Sequence, residues 1–216
     1  MRVRPETKAR TRGEILKAAR RLFAERGFAR ASTRELSRSA GIAAGTLFNY
    51  FPTKESLALE LLGESIERGL ATWHARRRSG ASLVEELFDH VACGLAELEP
   101  YRASLGEILE TALSPFRSLP AVPGGERFRL RHLETVDALL REHGHSEGVG
   151  PVSMHLYWTL YLGVLAYWSA DGSPHQEDTL GVLDQALGMF AGSLVLDGTE
   201  DRTHEEAGGE EPPRIG

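Results

Sequence analysis

Apolar residues recur three and four positions apart along most of the chain, and no alternating run of β-branched residues is bounded by turns. A period near 3.6 is typical of helices that bury one face, and a period of two is typical of strands. The pattern therefore predicts an all-α fold. The expected helices lie near residues 12–26, 32–40, 44–51, 53–78, 82–98, 102–113, 126–143, 151–170 and 175–196.

The segment 32–57 predicts two short helices around a turn, followed by a third helix. Gly41 provides a residue that adopts positive φ where the chain turns sharply. In the second helix, Leu47 and Phe51 are spaced to face inward. Pro52 ends that helix and Thr53 caps the next. This order is typical of a helix-turn-helix, which places its second helix in the major groove of DNA.

Charge is unevenly distributed along the chain. Residues 1–54 contain thirteen Arg and Lys against four Asp and Glu, a net charge of +9, although the whole chain has a net charge of −6. A basic segment at one end of an acidic protein indicates a polyanionic partner for that end. A merely solvated pattern of surface charge is the alternative, and the coincidence with the helix-turn-helix argues against it.

The run GTLFNYFPTKESL, together with the preceding helix that ends at Gly27 and Phe28, resembles the signature of TetR/AcrR-family transcriptional regulators. The resemblance covers about the first quarter of the chain. It implies an N-terminal three-helix DNA-binding domain followed by a helical domain for effector binding and dimerisation. It also implies double-stranded DNA with a palindromic operator, a small-molecule effector and a second copy of the chain as partners, and no cofactor.

The resemblance also implies roles for individual residues. Thr33 would contact a phosphate, and Arg34 would contact either a phosphate or a guanine edge. Small or apolar side chains would touch thymine methyl groups, while others would bind phosphates. The first set is Ala44, Gly45 and Phe48, and the second is Thr46, Asn49, Tyr50 and Lys54. Many family members have Tyr where this chain has Phe48. Tyr50 as a core residue and Thr46 as a partner of its own helix backbone are the structural alternatives.

The last two helices have more apolar positions than one buried face needs, and in the resembled family paired C-terminal helices form a four-helix interface. The expected dimer residues are Leu160, Val164, Leu180, Leu183, Leu187, Phe190 and Leu194, with a core inside one chain as the alternative. The middle helices would enclose a pocket for a mainly apolar or aromatic ligand. Its candidate lining, for which core packing is the alternative, is Trp73, Phe88, Tyr101, Leu105, Leu109, Phe128, Trp158 and Tyr161.

Other classes of protein find less support. The scattered histidines lack metal-ligand spacing, and no nucleophile-elbow, P-loop or dinucleotide-binding motif occurs, so neither a metal site nor an enzyme is predicted. The single Cys93 fits a cytoplasmic protein. The uncharged segment 151–170 is long enough to span a membrane. It lacks a basic flank on either side and contains several hydroxyl and imidazole groups, so a buried helix and no membrane are predicted.

Four regions follow from these observations. Residues 1–11 are expected to be a flexible basic arm, and 12–54 a DNA-binding domain. Residues 55–197 are expected to form the ligand-binding and dimerisation domain. Residues 198–216, which are rich in acids, glycine and proline, are expected to be a disordered tail.

Overall fold

The computed structural model of the protein describes residues 5–112, 124–145 and 149–207, with side chains to residue 194. Within these ranges the regular structure is helical, and the predicted all-α fold is confirmed. The helices are α1 Pro5–Arg26, α2 Thr33–Ser39, α3 Ala44–Tyr50, α4 Lys54–Arg76, α5 Leu83–Leu98, α6 Arg102–Ala112, α7 Gly125–Glu142, α8 Pro151–Ala170 and α9 Glu177–Ala207. Short 3₁₀ helices at Glu99–Tyr101 and Pro174–Gln176 precede α6 and α9.

The N-terminal helix is longer than the sequence pattern indicates. It begins at Pro5, so residues 5–11 of the expected flexible arm are helical. Proline is favoured in the first turn because its fixed φ suits a helix and its missing N–H needs no partner there. Glu6 lies in the same turn, where the helix dipole favours an acid. The hydroxyl of Thr11 donates to the carbonyl of Thr7.

Helices α1, α2 and α3 pack together as a small unit, which we call the head. Its core includes Ile15, Phe23, Leu36, Leu47 and Phe51, each at most 5% exposed. The core of the head is continuous with that of the remaining helices, the C-terminal domain, through the long helix α4. Helix α4 therefore belongs to both units, packing on α1 at one end and on α5, α6 and α7 further along.

Helices α4 and α5 cross in close contact at Gly69 and Gly94. A Cβ atom on Gly69 would lie 2.8 Å from the Cα of Gly94 and 2.9 Å from the carbonyl oxygen of Cys93. No side chain fits in that space, so the two backbones approach directly. The crossing fixes where α4 meets the C-terminal domain.

The last helices pack on α5 and α6, and α8 contributes buried Tyr157, Tyr161 and Trp168 to the core. Among the described residues, no helix is long and apolar enough to cross a membrane.

The expected tail is also partly wrong, because α9 extends to Ala207 and includes the first ten residues of that region. Glu, Arg and Ala, which are good helix formers, make up much of 200–207 and continue a helix already nucleated at its N-terminus. Residues 208–216 of the tail lie outside the described residues.

Candidate nucleic-acid interface

The first helix of the predicted motif has a complete cap. The backbone N–H of Glu35 donates to Ser32 Oγ at 3.2 Å, and the backbone N–H of Ser32 donates to a Glu35 carboxylate oxygen at 3.1 Å. The hydroxyl of Ser32 also donates to this carboxylate at 2.8 Å. This hydrogen bond and the one from the Ser32 N–H lower the pKa of Glu35, and the nearby Arg26 adds to the effect. The same carboxylate pairs with Arg26 at the end of α1, so the start of α2 is fixed to the preceding helix.

The turn between α2 and α3 depends on Gly41, whose φ is +68°. Its N–H donates to the carbonyl of Arg38 at 3.1 Å, and the N–H of Ile42 donates to the carbonyl of Ser37 at 3.0 Å. A side chain at Gly41 would be strained in this left-handed conformation. The residue sets the angle between the two helices, as predicted.

Helix α3 has one buried side and one open side. Leu47 and Phe51 are buried, as predicted from their spacing. Thr46 and Tyr50 are half-buried, and Tyr50 packs against the core. The remaining predicted contact residues, which are Ala44, Gly45, Phe48 and Asn49, are exposed. Phe48 is 45% exposed, a large apolar surface on a helix that makes no contact along this side.

Two arginines are exposed on α2, the helix that packs against α3. Arg34 and Arg38 are four residues apart and exposed, and within the described ranges neither guanidinium has a hydrogen-bond or ion-pair partner. Thr33, half-buried, precedes them at the first position of the helix. Arg38 was not among the predicted contact residues, although its spacing from Arg34 places both on one face of α2.

Four other arginines of the head have side-chain partners within the chain. Arg12 pairs with Glu60 of α4, and Arg20 pairs with Glu64 of α4 at 2.8 Å. Arg26 pairs with Glu35, and Arg21 donates to Ser39. The strong positive charge of this segment is therefore partly neutralised within the chain. The charges of Arg34 and Arg38, which are unpaired within the described ranges, remain available to a partner.

The ammonium of Lys54 has partners within the chain. Its ammonium donates to the carbonyl of Phe28 at 2.9 Å and to the carbonyl of Ala29 at 3.3 Å. It also lies 4.2 Å from the centroid of the Phe28 ring. Lys54 thus joins the first residue of α4 to the loop that leads from α1 into α2.

Most of the candidate ligand residues are buried, and Phe88 is partly buried. Phe128, Trp158 and Tyr161 form one group of rings, with Trp158 6.3 Å from Phe128 and 5.6 Å from Tyr161 between centroids. Trp73 joins this group through His90. Of the remaining candidates, Tyr101 lies in the first 3₁₀ helix, and Leu105 and Leu109 lie in α6. Among the described residues, the ring of Tyr101 makes no contact with this group of rings.

Most of the expected dimer residues lie in the core of one chain. Val164, Leu183, Leu187, Phe190 and Leu194 are buried inside one chain, so they have no surface for a partner. Only Leu180 is exposed, and Leu160 is half-buried. The most apolar faces of α8 and α9 pack against α5 and α6 in the core.

A different apolar face of α8 and α9 is open. Its large exposed residues are Val152, Leu156, Tyr167, Leu180 and Met189. Gly163, Gly181, Gly188 and Gly192 are exposed on the same two helices. Small residues allow helices to approach closely, so this face has the composition of a helix-packing surface.

In the part of the chain that the structure describes, no three His, Cys, Asp or Glu residues are grouped as metal ligands would be. The site therefore consists of a capped helix-turn-helix with an open α3 face and two unpaired arginines. This geometry is that of a helix-turn-helix DNA-binding domain.

Residues 15–61 match the model of the bacterial regulatory proteins of the tetR family. The regulator UidR of Escherichia coli is 33% identical over 99 residues, which are 46% of this chain and 50% of UidR. The repressor KstR2 of Mycobacterium tuberculosis is 40% identical over 62 residues, 29% of this chain and 28% of KstR2. The chain thus spans half or less of these curated relatives.

Solved structures match over a larger part of the chain. A TetR transcriptional regulator from Rhodococcus sp. RHA1 has a TM-score of 0.64 at 20% identity and covers 82% of this chain and 95% of its own. The regulator FadR of Bacillus subtilis, solved with stearoyl-CoA, has a TM-score of 0.54 at 17% identity over 82% of this chain and 96% of its own. At this level of identity the structures show that the fold is shared.

Proposed function

We propose that the protein is a transcriptional regulator that binds a palindromic operator as a homodimer and is released from it by a small-molecule effector. The observation that supports this most directly is the open face of α3 together with the unpaired Arg34 and Arg38. Such a surface contacts base edges through the helix and phosphates through the flanking cations. As a protein that works on the chromosome, it would act in the cytoplasm.

Each residue on this surface has a proposed part. Arg34 and Arg38 bind phosphates or a guanine edge, and Thr33 binds a phosphate next to them. Van der Waals packing against the bases involves Ala44, Gly45 and Phe48. The phosphates on either side are bound by Thr46, Asn49 and Tyr50. Lys54 supports this surface from behind, because its ammonium holds the loop that precedes α2.

Repression is the regulatory mode that we propose, since KstR2 and the related AcnR of Corynebacterium glutamicum are named as repressors. Activation through the same fold is the second candidate, and DNA binding without an effector is the third. Transcription in vitro from the bound promoter, with and without the protein, separates a repressor from an activator.

The first prediction concerns operator binding. Fluorescence anisotropy with the DNA upstream of the protein's own gene should show specific binding that weakens linearly with the logarithm of salt concentration. Arg34→Ala and Arg38→Ala should each reduce the slope by about 1.8 if the side chain binds a phosphate, because the dimer loses two such contacts. If Arg34 contacts guanine, the variant should instead lose about 1–3 kcal/mol of discrimination at one base pair per half-site.

Arg78→Ala is the matched control, because Arg78 is an exposed arginine of the C-terminal domain paired with Asp89. It should bind the operator as the parent does. Parent-like affinity, slope and base preference in both α2 variants would remove this face from the interface and contradict the proposal.

A further inference from the structure

The centre of the C-terminal domain contains polar rings in place of a wholly aliphatic core. His90 of α5 and His132 of α7 are 3% and 2% exposed. Their rings are nearly parallel, with centroids 5.3 Å apart. His132 stacks on Tyr161 at 4.0 Å, and its Nε2 forms a 3.1 Å hydrogen bond with the hydroxyl of Tyr157. Three helices therefore bring titratable side chains to one buried place.

Three imidazole nitrogens in this group have no hydrogen-bond partner among the described residues. They are both nitrogens of His90 and Nδ1 of His132, and all three are inaccessible to solvent. Burial lowers the pKa of His90 to about 4, and burial holds the pKa of His132 well below its usual value. Both rings are neutral at neutral pH, so each offers one donor and one acceptor. Buried groups of this kind normally have partners.

A third feature lies on the same side of α7. Arg129 precedes His132 by three residues, and its guanidinium carbon lies 5.9 Å from the centroid of the Trp158 ring. Its Nε is buried without a hydrogen-bond partner, and no ion pair to it is found among the described residues. The neighbouring Arg127 and Arg131 pair with Glu60 and Glu67 of α4. Arg129 is thus the cation of this stretch that lacks an acid.

We propose that these residues bind an aromatic hydroxy acid as the effector. The cluster consists of His90, Arg129, His132, Tyr157, Trp158 and Tyr161. The carboxylate of the ligand pairs with Arg129, its ring packs against Trp158, and its hydroxyl donates to one imidazole nitrogen and accepts from another. The assignment of this ligand as the effector rests on the proposed function.

The chemistry of the cluster limits the ligand in two ways. A hydroxyl both donates and accepts, so it satisfies neutral imidazoles whichever nitrogen has the proton. A second charge deep among the two histidines would be buried without a counterion, which is strongly unfavourable. The ligand therefore has one acidic end, an aromatic body and one uncharged polar end.

Entry of such a molecule requires movement of the surrounding rings. A cavity of about 100 Å³ is lined by Phe128, whose ring also meets Trp158, and a space of about 10 Å³ lies beside Tyr157 and Tyr161. A ring that enters must displace side chains of α7 and α8. Because Arg127 and Arg131 join α7 to α4, a shift of α7 reaches the helix that supports the head.

The test uses the full chain and titration calorimetry with the three hydroxybenzoate isomers, benzoate and phenol. At least one hydroxybenzoate should bind about tenfold or more tightly than benzoate and phenol, which each lack one of the two polar groups. Arg129→Met should weaken the two acids about tenfold and leave phenol unchanged. His132→Phe and His90→Phe should weaken the hydroxybenzoate and leave benzoate unchanged.

Two controls separate ligand binding from a structural role. Arg141→Met removes an exposed arginine of the same helix, paired with Asp137, and should bind every probe as the parent does. The histidine variants should have an unchanged or higher Tm without ligand, because an unsatisfied buried polar group is replaced by an apolar ring. A lower Tm with unchanged probe binding would assign the histidines to internal packing and overturn the proposal.

Two further outcomes have distinct meanings. If no isomer binds better than benzoate and phenol, the proposed ligand class is wrong. Operator binding is measured separately without any probe, so its absence counts against the proposed function and leaves the probe result standing. A hydroxybenzoate that binds to the parent without lowering operator affinity would contradict the effector role.

Discussion

At the scale of single residues, Lys54 shows that a cation at the start of a helix can find its partners within the chain. A cation in the first turn of a helix is unfavourable with the helix dipole, and from the sequence this indicates an anionic partner. In the structure the partners are two carbonyl oxygens and the ring of Phe28. The partial negative charges of the carbonyl oxygens and the ring offset the unfavourable interaction of the cation with the helix dipole. Because Lys54 and Phe28 are 26 positions apart, the spacing of residues in the sequence does not predict their contact.

The second prediction follows from these contacts. Lys54→Ala should lower the free energy of unfolding by about 1–2 kcal/mol, because two carbonyls lose a charged donor and Phe28 loses a cation–π contact. Operator affinity should fall for all sequences while the salt slope stays that of the parent. Thermal unfolding and anisotropy at several salt concentrations measure both quantities.

Lys17→Ala serves as the control, since Lys17 is exposed on α1 and has no partner within the described part of the chain. A slope reduced by about 1.8 in Lys54→Ala, with unchanged stability, would instead favour a phosphate contact in each protomer.

At the scale of elements, a row of acids along α4 joins the two units of the molecule. Glu60 pairs with Arg12 of α1 and, at 2.6 Å, with Arg127 of α7. Glu64 pairs with Arg20 of α1, and Glu67 pairs with Arg131 of α7. Exposed ion pairs contribute little to stability singly, so the main effect of the row is to determine which arginines remain available to DNA.

The third prediction tests that effect. Glu60→Gln should free Arg12 at the base of the head, raise affinity for non-specific DNA and steepen the salt slope by up to about 1.8, or about 0.9 for each protomer of the dimer. Glu67→Gln is the matched variant, because it frees an arginine of α7 and none of the head. Equal DNA-binding curves for both variants, measured by anisotropy, would show that Arg12 stays away from the phosphates.

Helix positions are the part of the fold that the sequence predicts best, because amphipathic spacing and caps are local. The capping residues Ser32, Thr53 and Ser82 each begin a helix close to the expected position. The ends of the chain were predicted less well, since composition alone does not distinguish a charged helix from a charged coil. Which apolar face of α8 and α9 meets the core also could not be predicted, because it depends on the helices packed against them.

At the scale of the whole molecule, the exposed apolar face of α8 and α9 is the surface that would hold together the two heads of the proposed dimer. The fourth prediction is that Leu156→Glu combined with Met189→Glu makes the protein monomeric in sedimentation velocity and weakens operator binding. Met189 is 67% exposed and Leu156 39%. A charge at these positions should therefore change the free energy of unfolding of a monomer little, whereas it would disfavour an apolar interface. Leu130→Glu, at a site 50% exposed on α7, should remain dimeric. A double variant that sediments as the parent does would place the interface elsewhere.

The crossing of α4 and α5 at Gly69 and Gly94 gives the molecule the mechanics of a lever. Fifteen residues separate Lys54 from Gly69, an arm of about 22 Å at about 1.5 Å per residue. A tilt of about 5° around this fulcrum would displace the end of α4 that holds the head by about 2 Å. Side-chain movements too small to rearrange the C-terminal domain would then be enlarged at the far end of the arm, where the spacing of two DNA-binding heads is most sensitive.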